Sequence, residues 1–397
     1  MPDEPTAGPA APRRLRVLVA PDSFKGTFSS VVVARALAEG WSAARPGDDI
    51  VLTPMADGGE GMLEAVAASG GWLRLPVAAK DPLMHTLAAG FLRDGDRAVV
   101  EMAVASGLSR VSAEDRDAMA ASTFGTGQIL AAAIGLGCRR IVLGMGGSAT
   151  TDGGAGLLEA LGARFLDAGG ADLAPGGGAL GDLASADLSG ISEVLAEVDL
   201  TVASDVTNPL LGERGAAATY GPQKGADPEQ VAELDRNLRR LADVLEAAQG
   251  RVLRYQLGTG AAGGAVFGLL AIADRFRSLE VVPGVDVAME LTGFADRVAE
   301  ADVVLTGEGR VDVQTAYGKT ALGVAERARA AGVPTICFGG GVTPEGTAFM
   351  HGRGIITMAV TEQPMSLAEA VAAGTPPISR AAERAARLID LGTSLCR

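Results

Sequence analysis

Residues Leu15–Ala44 read LRVLVA, then PDSFKGTF, then SSVVVARALAEGWSAA. A short apolar run closed by Pro-Asp is a strand, and apolar residues recurring every three or four positions after it are a helix. The pattern then repeats: Ile50–Thr53 (IVLT) runs into Pro54–Gly61 (PMADGGEG) and a second helical stretch, Met62–Ser69. Two strand–loop–helix units in succession begin a parallel sheet with helices on its faces.

Beyond Trp72 the pattern shortens into RLPVAA, HTLAAGFL and DRAVVEMAV, separated by Asp-Pro and Gly-Asp turns, which reads as antiparallel strands. A helix near Gly127–Leu136, the strand RRIVLGMG, a helix in DGGAGLLEALGARF, the strand LTVASDV and a charged helix follow. After Asp274 the alternation resumes with ADVVLTGEG, KTALGVAERARAAG, PTICFGGG, GIITMAV and a last helix, ISRAAERAARLIDL. These late strands resemble the first two. The expected fold is therefore two α/β domains: a doubly wound (flavodoxin-like) parallel-sheet domain from residues 14–70 plus 275–397, and an inserted mixed-sheet domain, 71–274. Residues 1–13, rich in Pro and Ala, read as a disordered lead-in.

The 397 residues carry a formal net charge of −14 and 48% hydrophobic residues, enough for a large core. Acidic balance with scattered basic residues offers no footprint for nucleic acid or an anionic membrane, so a small molecule is the expected partner. The three cysteines, Cys138, Cys337 and Cys396, share no metal spacing, and with two histidines no zinc set can form. A reducing, cytoplasmic setting is expected. Glycine, 55 of 397, comes without Pro/Ser tracts and points to tight, ligand-facing turns. Of 34 basic residues only Lys25, Lys80, Lys224 and Lys319 are lysine, which draws attention to places that need a compact point charge.

In open parallel sheets ligands lie outside the carboxyl ends of the strands. Four expected strands end near an acid there: Asp22, Asp57, Asp205 and Glu308. Lys25 and Lys319 lie in two of the same loops. Crowded carboxylates need a cation or a shared proton, and ammonium groups beside them suit phosphate. The competing reading of each loop is structural, with Asp capping a helix and Gly making the turn.

Gly144–Gly156 (GMGGSATTDGGAG) joins a strand to a helix, and its small residues would let amides and the Ser148, Thr150 and Thr151 hydroxyls approach an anion. Leu257–Gly264 (LGTGAAGG) contains the GxGxxG spacing, but RVLRYQL before it is a poor buried strand, so a phosphate turn or helix packing is expected there. Gly318-Lys319-Thr320 ends like a Walker A loop, yet Val313 stands where the leading Gly belongs. GxSxG, HExxH and the kinase HRD pattern are absent.

Taken in order, Ala20–Ser30 (APDSFKGTFSS), PMADGGEG, Gly144–Phe165, Ala203–Ala226 (ASDVTNPLLGERGAAATYGPQKGA), Gly258–Gly264 and Thr306–Thr320 (TGEGRVDVQTAYGKT) resemble the type I glycerate kinase family. The resemblance implies ATP-dependent phosphorylation of D-glycerate with Mg²⁺, and a two-domain α/β architecture unlike that of P-loop kinases. It favours 2-phosphoglycerate as product over 3-phosphoglycerate. The competing readings are an NAD-dependent dehydrogenase using LGTGAAGG and a non-enzymatic organic-acid sensor.

Phosphoryl transfer requires positioning and charge neutralisation. Lys25 and Lys319 are expected to hold phosphate or carboxylate oxygens. Gly146, Gly147, Ser148 and Thr150 are expected to cradle the nucleotide phosphates. A subset of Asp57, Asp205 and Glu308 would hold the metal. Asp205 is the first candidate for the base, Asp22 the second. Asn208, Lys224, Gly58 and Gly59 are assigned to the substrate, Lys224 as the cation for its carboxylate.

Overall fold

The computed structural model describes residues 13–312, 320–363 and 365–395. The chain divides into two compact units, one made of residues 1–55 with 289–397 and the other of residues 56–288.

The first unit holds one parallel sheet of five strands: β1 (Arg16–Val19), β2 (Asp49–Leu52), β11 (Val303–Val311), β12 (Thr335–Val342) and β13 (Ile356–Ala359). Their order across the sheet is β13-β12-β11-β1-β2, and every pairing is parallel. Read from the other edge this is the flavodoxin order, in which the direction of winding reverses between β1 and β11. Helices Ser30–Ala44 and Pro376–Leu395 cover one core, where Val17, Val19 and Leu305 meet Leu37, Trp41, Ala381 and Ala385. A separate cluster joins Val311 and Cys337 to helix Thr320–Ala330 and to Met350 of helix Pro344–His351.

The first core is pinned at its edge by Arg45. Its guanidinium donates to Asp48, Asp390 and the Arg13 carbonyl, while the Trp41 indole donates to the same Asp48 carboxylate at 2.8 Å. The two covering helices touch at a glycine. A Cβ on Gly40 would lie 1.8 Å from the Ser379 carbonyl oxygen.

The second unit holds a mixed sheet ordered β10-β9-β6-β5-β4-β3. Its strands are β3 (Leu73–Lys80), β4 (Thr86–Asp94), β5 (Arg97–Glu101), β6 (Arg140–Gly144), β9 (Asp199–Ala203) and β10 (Ser278–Val282). β3, β4 and β5 form the expected antiparallel meander, and β5, β6, β9 and β10 run parallel. A small hairpin, β7 (Arg164–Leu166) with β8 (Ser185–Asp187), lies outside that sheet.

Both α/β sheets match the expected fold class, with differences in detail. The units change over at residues 55/56 and 288/289, whereas the sequence placed the crossings near Gly70 and Asp274. The reason is local: the loop at Asp57–Gly61 and helix Met62–Ala68 pack on β5, β6 and β9, and β10 adds to the second sheet. The helix expected across Asp152–Phe165 is only Ala155–Ala160, because Gly162 (φ +109°) lies against Gly190 and the chain turns into β7.

Gly40→Ala should overpack the two covering helices and cost about 1–3 kcal/mol, read as a lower urea midpoint at unchanged m-value. Unaltered stability would contradict the contact.

Candidate active site

In the second unit four parallel strands deliver their carboxyl ends to one edge. β9 leads to Asp205, β6 to Gly146–Ser148, β10 to Gly284, and β5 ends on Glu101. The Asp57–Gly61 loop lies across the same edge. Its fit depends on missing side chains. A Cβ on Gly146 would lie 2.3 Å from the Gly59 Cα, one on Gly284 would lie 2.1 Å from the Asp57 carbonyl oxygen, and one on Gly58 would lie 3.0 Å from the Ala203 carbonyl oxygen. Gly146 N–H donates to the Gly58 carbonyl at 3.2 Å.

This packing places the Asp57 and Asp205 loops side by side. Asp57 Oδ1 accepts from Gly59 N–H at 3.1 Å, and Asp205 Oδ1 accepts from Gly284 N–H at 2.9 Å. Asp57 is half-buried and Asp205 exposed. Glu101, which sequence reasoning missed, anchors the loop from below. Buried at the end of β5, its carboxylate accepts from Gly61 N–H at 3.1 Å and Leu63 N–H at 2.9 Å, capping helix Met62–Ala68. Burial pushes its pKa upward, against the pull of those amides.

The glycine loop after β6 is held from both sides. Lys224, 2% exposed, donates from Nζ to Ser148 Oγ at 3.0 Å and to the Thr150 carbonyl at 2.5 Å. Asp152, fully buried, accepts from Thr123 N–H and Oγ1–H, both at 2.8 Å, from Gly154 N–H at 3.1 Å and from Gly156 N–H at 3.3 Å. The chain's own carboxylate thus occupies amides that the sequence offered to an anion. Thr150 and Thr151 are fully buried, and among the described residues their hydroxyls have no partner. Gly147 is exposed, with φ +74°, and Ser148 after it is buried, its backbone bridged to Gly107. Gly263, with φ +67°, leaves room for the Thr150 carbonyl, 1.9 Å from where a Cβ would be. The GTGAAGG segment therefore serves close packing against the first glycine loop.

Asn208 is held within its own segment. Its Nδ2 donates to the Arg214 carbonyl at 2.8 Å and to Thr219 Oγ1 at 3.2 Å, and its Oδ1 accepts from the Tyr220 hydroxyl at 3.1 Å. Both amide hydrogens are used, so the side chain shapes the Asp205–Lys224 segment. Tyr220 gave no motif by which to find it.

In the first unit the residues gather at the reversal point between β1 and β11. Asp22 N–H donates to the Gly307 carbonyl at 2.8 Å, drawing the loop after β1 over β11. A Cβ on Gly309 would meet the Lys25 backbone nitrogen at 3.4 Å. Asp22 and Glu308 are buried and Lys25 is exposed. Burial, and secondarily the Glu308 charge, raises the Cys337 pKa, so that thiol is inert. Lys319 lies outside the described residues. Among the described residues no three of His, Cys, Asp and Glu come together as a metal-holding group, and no helix is long and apolar enough to cross a membrane.

The sequence profile described as Glycerate kinase family matches residues 17–390. A Bacillus subtilis glycerate kinase is 42% identical over 85% of this chain and 88% of its own length. The Escherichia coli glycerate 2-kinase is 37% identical over 95% of this chain and 99% of its own. A crystal structure of a Salmonella typhimurium LT2 protein assigned as glycerate kinase 2 superposes with a TM-score of 0.82 at 36% identity, covering 96% of this chain and 100% of that one.

Burial lowers the Lys224 pKa to about 7, opposed by the Asp152 charge. Because the unfolded chain binds this proton more tightly, the cost of burying the ammonium is complete below pH 7 and is relieved as pH rises towards the unfolded value. Relative to Lys224→Met, wild-type unfolding free energy should climb between pH 7 and 10, with a slope approaching about 1.4 kcal/mol per pH unit. A difference independent of pH would contradict a lowered Lys224 pKa.

Proposed function

The chain belongs to the glycerate kinase family, and we propose from that premise that it transfers the γ-phosphoryl group of ATP to the 2-hydroxyl of D-glycerate. Membership makes it a phosphotransferase and implies ATP use. The observation that carries the reading of the site is the glycine-enabled approach of the Asp57 and Asp205 loops to the Gly146–Ser148 turn. The choice of the 2-hydroxyl draws support from the name of the Escherichia coli relative.

Asp57 is a hard oxygen donor at the strand edge beside the Asp205 loop, which fits Mg²⁺, an ion commonly held by one or two carboxylates and completed by phosphate oxygens and water, and leaves Asp205 to take the proton. Such an ion would supply positive charge against the phosphates. On the protein side, Gly147 and Ser148 receive phosphate oxygens, while Gly146, expected in the same role but with its N–H given to the Gly58 carbonyl, and buried Thr150 shape the turn. Lys25, exposed beside Gly309, and Lys319 neutralise further anionic oxygens. Gly58 and Gly59 border the position of the glycerate.

Asp205 is the base, with Asp22 as the second candidate. Its carboxylate, oriented by Gly284 N–H, takes the proton of the acceptor hydroxyl while that oxygen bonds to the γ-phosphorus and the bond to the ADP oxygen breaks. Amides and ammonium groups bind charge already present in ATP, so what they contribute to rate lies in alignment.

³¹P NMR of the protein with Mg-ATP and D-glycerate should show a 2-phosphoglycerate resonance growing with ADP. A 3-phosphoglycerate resonance would overturn the regiochemistry, and intact ATP would overturn the substrate. Asp205→Asn should lower kcat by about 10²–10⁴-fold with the circular dichroism spectrum unchanged. Near-wild-type turnover at saturating substrates would remove Asp205 as base.

A further inference from the structure

Lys224 is enclosed where an ammonium is costly to hold. It sits on the turn Pro222–Lys224, and Gly225 (φ +97°) behind it leaves room for the backbone of Arg116. The Ser148 hydroxyl it touches follows exposed Gly147 in the glycine loop. A hydroxyl that accepts from an ammonium keeps its own O–H to donate, and turns that hydrogen away from the cation. Ser148 keeps 8% exposure directly after exposed Gly147, so an anion held at Gly147, as the proposed function has it, lies next to that hydroxyl. The Thr150 carbonyl, the other acceptor of Lys224, fixes the loop two residues on.

We propose that Lys224 is a positioning residue that acts on a bound anion through Ser148, orienting its hydroxyl as a donor to a phosphate or carboxylate oxygen, and that Lys224 takes up a proton when that anion arrives. The inference rests on the reading of the glycine loop as an anion cradle. It replaces direct contact between Lys224 and the glycerate carboxylate, since the ammonium is enclosed by the loop it grips. No covalent step is involved: the proton comes from solvent and binds the Lys224 amine.

The charges around the group set the direction of the coupling. Asp152 acts across the loop and favours the ammonium. Arg116 donates to the Gln223 carbonyl on the turn that carries Lys224. Glu60 lies over Gly147, its Cβ 3.6 Å from where a Cβ of Gly147 would be, and Asp227 is committed to the amides of Glu229 and Gln230. Among the described residues no carboxylate is ion-paired with Lys224 directly. Burial holds its pKa near 7 in the ligand-free chain, leaving room for an incoming negative charge to raise it.

Isothermal titration calorimetry at pH 8, repeated in buffers of different ionisation enthalpy, reads the protons taken up on binding. The probes are Mg-adenylyl imidodiphosphate and D-glycerate, titrated separately. The wild type should take up a large fraction of one proton with the ligand whose anion occupies the loop. Uptake with the nucleotide identifies phosphate, and uptake with glycerate identifies carboxylate. Lys224→Met should abolish this uptake and weaken the same ligand by about 10–100-fold, leaving the other ligand unaffected. Ser148→Ala should weaken the same ligand, and the double variant should bind no worse than Lys224→Met alone, since both act through one contact.

Wild-type binding of both ligands without proton uptake would overturn the proposal, and this measurement needs no variant to fold. So would Lys224→Met binding and taking up protons as the wild type does. Turnover is followed in the same preparations by ADP release. Proton uptake without phosphorylation of D-glycerate would overturn the functional reading and uphold the role of Lys224. Phosphorylation without uptake would do the reverse.

Discussion

Backbone rests directly on backbone where Gly58, Gly59, Gly146 and Gly284 meet, and the candidate site of the second unit depends on that approach. A methyl group at Gly146 or Gly284 would overlap main-chain atoms at 2.1–2.3 Å, so no rotamer change could relieve it. The approach lets three loops from separate strands share one edge of the sheet. It also brings amide N–H groups, which act as fixed dipoles, to the carboxylates Asp57 and Asp205. Main-chain donors held by a rigid sheet need no reordering when a ligand arrives, which is the condition for electrostatic preorganisation.

Buried charges keep those loops from relaxing. Glu101 holds the start of helix Met62–Ala68, Asp152 ties the glycine loop to Thr123, and Lys224 grips it at Ser148 and Thr150. Each charge is desolvated, and each is matched by several hydrogen bonds, the arrangement in which a buried ion is tolerated. The first unit meets the same problem with a flavodoxin strand order. Its reversal point between β1 and β11 opens a crevice by topology, and Asp22, Lys25 and Glu308 stand there.

The parallel sheet was legible because LRVLVA, IVLT and ADVVLTGEG each end in a turn followed by a helical period. So were the acids after those strands, since the carboxyl edge of a parallel sheet collects ligands whatever the chemistry. β10 was not legible: SLEVV is short and carries a charge, and its strand character comes from pairing with β9. Glu101 and Asp152 were passed over for a related reason. Buried carboxylates that cap backbone amides look in sequence like any acid at a strand end or turn. The burial of Lys224 was equally hidden, because only the fold lays Ser148 and Thr150 over it, and the sequence could offer its ammonium to the substrate carboxylate alone.

The central claim is that the loops at Asp57–Gly61, Gly144–Ser148 and Ala203–Asn208 form one ligand-binding surface in the second unit. Hydrogen–deuterium exchange with Mg-adenylyl imidodiphosphate and D-glycerate tests it directly. The account predicts that amides in all three loops slow together on ligand addition, while β3 and β4 at the far edge of the sheet exchange as before. Protection confined to other segments, with these three loops unchanged, would contradict it.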